Sequence, residues 1–333
     1  MKDLVRNINN ELRELRRDEV LIDDLSEYYN PVKSEFENHL KREISKEPQE
    51  IASILEKGVD GGKKLRPVLC RLVSDSLGGD THLAFECGMA LELIHSGALI
   101  HDDWIDGDNF RRAAPSLWNE LGSRTAVLVA DLMIATGSLH GAISIETGKS
   151  LARCVRNLSE GAIADFTDKE NYSESVYLHR IKRKTGALYS TAAELGALVS
   201  PRTDLASNMY KYGECVGIIY QITDDFLDLL NSLITKTAVG DLALKIPTLP
   251  VTRLSSYPEY KEVIDEFTLN GNSEPLIQTI EIKHAQAVFE ELVKPWQDMS
   301  KRFLTKVPES KYKILLEKVP IAFANELITA DTN

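Results

Sequence analysis

Apolar residues recur at three- and four-residue intervals along most of the chain, and alternating β-branched runs are nearly absent. The pattern predicts helices and little strand. It breaks where glycine and proline collect: Gly58 to Gly62, Gly78-Gly79, Gly107 to Pro115, Gly148, Pro201, Pro247 to Pro258, Asn270 to Pro275 and Pro308. Between these breaks lie helical blocks of roughly 15 to 30 residues, as in an all-α bundle. The block THLAFECGMALELIHSGALIHDDWID carries a wide apolar face of Leu83, Cys87, Ala90, Ile94, Ala98 and Ile105, with Asp80 or Thr81 as its cap. GECVGIIYQITDDFLDLL is apolar almost all round. Helices of that kind occupy the centre of a bundle. Pro295 in VFEELVKPWQDMSKRF should kink or split the last-but-one helix. No linker, low-complexity tract or tandem repeat divides the chain, so residues 1–333 are expected to form one domain.

Composition narrows the function classes. The 333 residues are 43% hydrophobic, enough for a sizeable core, and carry a formal net charge of −12. That charge argues against a nucleic-acid surface, and it means that an anionic ligand needs a local basic patch or bound cations. Cys70, Cys87, Cys154 and Cys215 are widely spaced, without metal-binding spacing, and read as reduced, buried thiols. The N-terminal MKDLVRNINNELRELRRDEV is charged throughout and has no apolar signal core. No stretch approaches the ~20 uninterrupted apolar residues of a membrane span. The expectation is a cytoplasmic protein.

Two short segments carry the chemistry. HDDWID at 101–106 and TDDFLD at 223–228 each end an apolar helical block with Asp-Asp-x-x-Asp. On a helix, Asp102 and Asp106 share a face with Asp103 beside them, and Asp224, Asp228 and Asp225 repeat the geometry. No Lys or Arg is interleaved in either triplet. Oxygen-only ligands on rigid helices suit Mg²⁺, which takes one or two carboxylates and completes its octahedron with water and phosphate. A solvated acidic helix end is the plainer reading of one such triplet; two, each closing a buried helix, are harder to dismiss.

A phosphate ligand also requires cations. GVDGGKKLRPVL supplies Lys63, Lys64 and Arg66 at a glycine-flexed helix start, where backbone N–H groups favour anions. Arg111 and Arg112 follow the first aspartate cluster, and HRIKRKTGAL supplies Lys182, Arg183, Lys184 and Thr185. His95 lies seven residues before Asp102, about two turns down nearly the same face. A core histidine satisfied by its neighbours is the alternative. His101 either orients a carboxylate or caps the helix end.

These residues, in this order, resemble the trans-isoprenyl diphosphate synthase family. GGKKLRP is similar to its G-G-K-x-x-R-P, and LIHSGALIHDDWID with RRAAP to its first aspartate-rich region and arginine pair. KTGALYSTAAELGAL is similar to its K-T-G/A segment, and YQITDDFLD to its F-Q-x-x-D-D-x-x-D. The likeness spans roughly residues 60 to 250. It implies an all-α fold of about a dozen helices around a deep central cavity, a homodimer, and condensation of isopentenyl diphosphate with an allylic diphosphate. It further implies that Asp102, Asp106 and Asp224 bind a cluster of Mg²⁺ ions, about three with substrate bound, with Asp103, Asp225 and Asp228 as further ligands or supports. Arg111, Lys184, Thr185 and Gln221 would hold the allylic substrate, and Lys63, Arg66, His95 and Arg112 isopentenyl diphosphate.

There are departures. Ala113 stands where the family usually has Gly, Gly240 is shifted, and Ile246 occupies the place of the second Lys, with Lys245 one position earlier. A one-residue shift on a helix swings a side chain by about 100°, which leaves Lys236 as the expected phosphate ligand. The family stops elongation with bulky aromatics just upstream of the first motif. Here those places are Gly97 and Ala98, so a product of at least twenty carbons is expected, with Ile94 or Leu91 as floor. Rival readings are a class I terpene cyclase, a non-catalytic subunit of a heteromeric prenyl diphosphate synthase, and a purely structural bundle.

Overall fold

The computed structural model describes residues 19–111, 114–167 and 172–330. The helical blocks begin with α1 (Glu19–Ile44), α2 (Gln49–Val59), α3 (Leu65–Ser76) and α4 (Thr81–Asp106). They continue with α5 (Leu117–Leu121), α6 (Ser123–Gly141), α7 (Ile145–Thr167), α8 (Glu174–Ile181), α9 (Ala187–Leu198) and α10 (Ala206–Thr235). Four short helices, α11 (Gly240–Ala243), α12 (Leu249–Arg253), α13 (Lys261–Asn270) and α14 (Glu274–Thr279), precede the long α15 (Ile282–Phe303) and α16 (Lys311–Ala330). Among the described residues the only β-structure is a two-residue antiparallel pairing of Phe110–Arg111 with Ala114–Pro115. Arg112, Ala113 and residues 1–18 of the N-terminal segment read above lie outside the described residues.

The two aspartate-bearing helices form the axis of the bundle. α10 runs past its motif to Thr235, so the second motif lies within its helix and not at the end that the sequence suggested. The Asp80 carboxylate accepts the Leu83 N–H at 2.9 Å, which starts α4. Gly107, at φ 75°, stops it, so the first aspartate motif is the last helical turn. α4 packs along α6, α3 and α9, while α10 packs along α9 and α15. Leu91, Ile94, Tyr189 and Val216 join α4, α9 and α10 in one apolar cluster, and Phe226, Leu230, Leu292 and Val293 join α10 to α15 in another. Burial from several sides explains why these helices show no narrow apolar stripe. By length and composition α4, with a mean hydropathy of 1.4 over its most apolar window, is long and apolar enough to cross a membrane. That window is 72% buried inside the bundle, as in a core helix.

Two smaller expectations met different fates. α15 runs unbroken through Pro295. The carbonyl that loses its partner there belongs to Glu291, an exposed residue, so water can take its place. Cys70, Cys87, Cys154 and Cys215 are all free and buried.

Candidate active site

The last turn of α4 lies at an apolar cavity of about 350 Å³, whose Thr185 is hydrogen-bonded to Gln221 of α10. Asp102, Ala98, Ile94 and Ile105 line it from α4, Ile134 from α6, and Val155, Leu158 and Ala162 from α7. Lys184, Thr185, Leu188, Arg66 and His95 complete the wall.

Lys184 and Thr185 sit in a π-helical turn, Lys182–Gly186, that joins α8 to α9 without interrupting the helix. The widened turn re-aims side chains that a regular helix would carry past the cavity. Thr185 donates to Gln221 Oε1 at 2.6 Å, and Gln221 Nε2 donates to Asp225 at 2.8 Å and Asp224 at 3.3 Å. Lys184 Nζ donates to Asp165 at 2.6 Å. Burial lowers the Lys184 ammonium, but its bond to Asp165 and the charges of Asp165, Asp102 and Asp106 outweigh that and raise it. The same lysine lowers Asp241, which burial, Asp228 and Asp224 together push up to about 6. Lys184 is therefore a cation felt by Asp102 and Asp106 and also by Asp241, which in turn feels Asp228 and Asp224.

The carboxylates are under-neutralised. Burial pushes Asp102 up, against Lys184 and with the help of Asp106; Asp106 is raised in the same way. Asp225 is buried and pushed up to about 8 by desolvation and by Asp241, although Tyr177 donates to it at 2.6 Å. A like-charged cluster in a partly buried place is what a divalent cation neutralises, and its donors are all oxygen. Asp102, Asp106 and Asp224 are the residues that could hold such ions. Asp103 and Asp225 are engaged otherwise. Arg111 donates from Nε to both oxygens of the buried Asp103, at 2.8 and 2.7 Å, and Asp225 is held between Tyr177 and Gln221. Asp228 accepts the backbone N–H of Asp241 at 3.1 Å. Gly240 makes that contact feasible: at φ 51°, any Cβ there would lie 1.8 Å from the Asp228 carboxylate.

Several sequence-predicted residues lie elsewhere than expected. Lys64, read as part of an anion site, turns inward at φ 51° and forms a buried ion pair with Glu92 at 2.7 Å. Replacing Glu92 by alanine leaves that ammonium buried and unpaired. The expected cost is about 3 kcal/mol, seen as a lower melting temperature that Glu92→Gln partly restores. Arg66 stacks over Tyr189 with its Nε buried and without a hydrogen bond, so its other face remains available to the cavity. Lys63 stands beside it in the turn, where Tyr29 donates to its carbonyl. Lys236 does not reach the site, because its left-handed backbone sends Nζ to the Ile277 carbonyl at 2.9 Å. Lys245 lies against Gly271. Arg111 faces Asp103 as described, and Arg112 lies outside the described residues. Leu91 is buried in the core and does not line the cavity. Gly97 faces α6, where a Cβ would come within 2.8 Å of the Ala130 carbonyl, so it serves close helix packing. Ala98 and Ile94 do line the cavity.

Sequence reasoning passed over Tyr177 and Asp165, and matched Asp241 to the family's pattern without giving it a role. Tyr177 stands seven residues before Lys184, two turns along the same helical stretch, which was a usable signal. Asp165 in GAIADFTD carried none.

The profile of the polyprenyl synthetase family matches residues 48–281. The chain belongs to the polyprenyl synthetase family. Its class is that of the prenyltransferases. Over 215 residues it is 34% identical to geranylgeranyl diphosphate synthase of Sulfolobus acidocaldarius, an alignment covering 61% of this chain and 65% of that enzyme. It is also 34% identical over 240 residues to heptaprenyl diphosphate synthase component 2 of Bacillus subtilis, covering 68% of each chain. The solved geranylgeranyl pyrophosphate synthetase of Geoglobus acetivorans superposes with a TM-score of 0.74 at 25% identity, over 90% of this chain and 98% of that one. The all-α isoprenoid synthase fold follows from these matches.

Proposed function

We propose that this polyprenyl synthetase condenses isopentenyl diphosphate with an allylic diphosphate, giving a trans-prenyl diphosphate of twenty carbons or longer. It would do so as a one-domain, cytoplasmic homodimer that requires Mg²⁺. The observation that carries the reading is Lys184: one ammonium feels Asp102 and Asp106 on one side and Asp241, beside Asp224 and Asp228, on the other, above an apolar cavity.

Asp102, Asp106 and Asp224 would hold Mg²⁺, which would supply positive charge to steady a departing diphosphate. The chain's own residues do the rest. Lys184 places an ammonium beside the bridging oxygen of the allylic diphosphate, where charge grows as the C–O bond breaks. Asp165 holds that ammonium in place, and Tyr177 and Gln221 hold Asp225 so that α10 presents Asp224 outward. Arg66, Lys63, His95 and Arg112 grip isopentenyl diphosphate, whose double bond attacks the allylic cation. Thr185 and Gln221 are the weakly nucleophilic polar groups beside that cation, and Leu158, Val155 and Ile134 keep water from it. The tertiary cation formed by that attack then loses an adjacent proton to the released diphosphate, and the C–H electron pair becomes the new double bond, so no side-chain base is required.

Purified chain with Mg²⁺, labelled isopentenyl diphosphate and primers of increasing length tests the reading through the chain length of the products. Consumption of isopentenyl diphosphate with accumulation of products of twenty carbons or more is expected. A second reading, in which the chain is one subunit of a two-component synthase, draws on the name of the Bacillus subtilis relative. No consumption by the chain alone, restored by a partner subunit, is the result that favours it.

A further inference from the structure

A second group of metal-ligating side chains lies at the opposite end of α4. His39 and Glu43 are four residues apart, near the end of α1, and so share a face. That face meets Glu86, in the second turn of α4. One ligand atom from each of the three lies within 4.8 Å of the others. Glu86 and Asp102 are sixteen positions apart on one helix, about 24 Å at its axial rise, so this group is separate from the aspartate site and does not depend on its reading.

The histidine is the informative member. Its side chain is 4% exposed, and its Nε2, 3.1 Å from Glu86 Oε1, makes no hydrogen bond. A buried imidazole nitrogen that faces a carboxylate without a satisfied bond is an unusual arrangement. Around it, the structure already supplies what a metal ligand needs. His140, at the end of α6, contacts the other Glu86 oxygen at 2.9 Å and so fixes that carboxylate. The His82 ring stands edge-on to His39, with centroids 5.6 Å apart.

We propose that His39 Nε2, Glu43 and Glu86 form a binding site for a borderline divalent cation, Zn²⁺ in the first place, with water as fourth ligand. One imidazole and two carboxylates match Zn²⁺ in donor type, and the two negative charges balance the ion. Arg42, which donates to His39 Nδ1 at 2.9 Å, and Lys46, which pairs with Glu43, are the present counter-charges. Their side chains are 64 and 65% exposed, so both turn to solvent at little cost. As Arg42 leaves, the ring proton moves from Nε2 to Nδ1, which frees Nε2 for the ion. The site would clamp the end of α1 to the start of α4.

The test is titration of metal-free full-length protein with Zn²⁺, and with Co²⁺ as a spectroscopic probe, in saturating Mg²⁺ to occupy the aspartates. One equivalent should bind with a visible d–d band typical of four-coordinate Co²⁺, and the melting temperature should rise. His39→Gln and Glu43→Gln should each weaken binding at least ten-fold and abolish the band, while Glu43→Gln keeps Mg²⁺-dependent turnover. Zn²⁺ binding that is unchanged in Glu43→Gln, or no Zn²⁺ bound by the unaltered chain once Mg²⁺ is present, overturns the proposal and leaves a plain ion-pair cluster.

Discussion

Alanine at Asp102 or at Asp224 should lower turnover by about three orders of magnitude, close to 4 kcal/mol of transition-state stabilisation. Each change removes an anchor for the cations that offset the leaving diphosphate, an interaction that strengthens as the C–O bond breaks and therefore acts on turnover more than on binding. The stability response should run the other way. Asp102 sits where burial and Asp106 disfavour its charge, so removing the carboxylate relieves repulsion in the metal-free protein. Asp102→Ala is thus expected to melt no lower than the unaltered chain without Mg²⁺, and to lose much of the stabilisation that Mg²⁺ brings. Thermal melts with and without Mg²⁺, run beside single-turnover assays, check both halves. Unchanged turnover in either variant, or a folding defect that accounts for its loss, refutes the role.

Phenylalanine at Ala98 should shorten the product by at least one five-carbon unit. Ala98 lies one turn, about 6 Å, below Asp102, and Ile94 about 12 Å below it; both line the cavity. An isoprene unit adds four carbons to the backbone, about 5 Å of extended chain, so a ring at Ala98 intrudes on the room for the first added units. Ile94→Ala deepens the same channel and should lengthen the product. The two shifts, read as chain-length distributions from one primer, should be opposite in sign. An unchanged distribution in Ala98→Phe removes α4 as the wall that limits growth.

Much of this site could be read from the sequence because it is helical. Spacing on a helix fixes which side chains share a face, so Asp102 with Asp106, Asp224 with Asp228, and the apolar surroundings of both followed from periodicity. The cap of α4 was narrowed to Asp80 or Thr81 by side-chain chemistry, and it is Asp80. What escaped was decided by backbone turns that no apolar pattern encodes. Lys64, Lys236 and Lys245 each adopt positive φ. That reversal sends Lys64 to Glu92 and Lys236 to Ile277, away from the phosphate roles that their charges suggested. Gly97 and Ala98 looked equivalent as small residues, yet one step around α4 separates a helix contact from a cavity wall. Arg111 was expected on substrate and instead neutralises Asp103 across the hairpin. Asp165 and Tyr177 come from α7 and α8, whose approach to α10 depends on tertiary packing alone.

The central claim is that the two aspartate helices act on one diphosphate. A double-mutant cycle measures this directly: the affinity of a non-ionisable allylic thiolodiphosphate, in Mg²⁺, for the unaltered chain, Asp102→Asn, Asp224→Asn and the double variant. Shared ions predict strong non-additivity, with the second substitution costing at least about ten-fold less once the first is made. Losses that add to within about 0.5 kcal/mol would mean that the two clusters act independently, and would contradict the account.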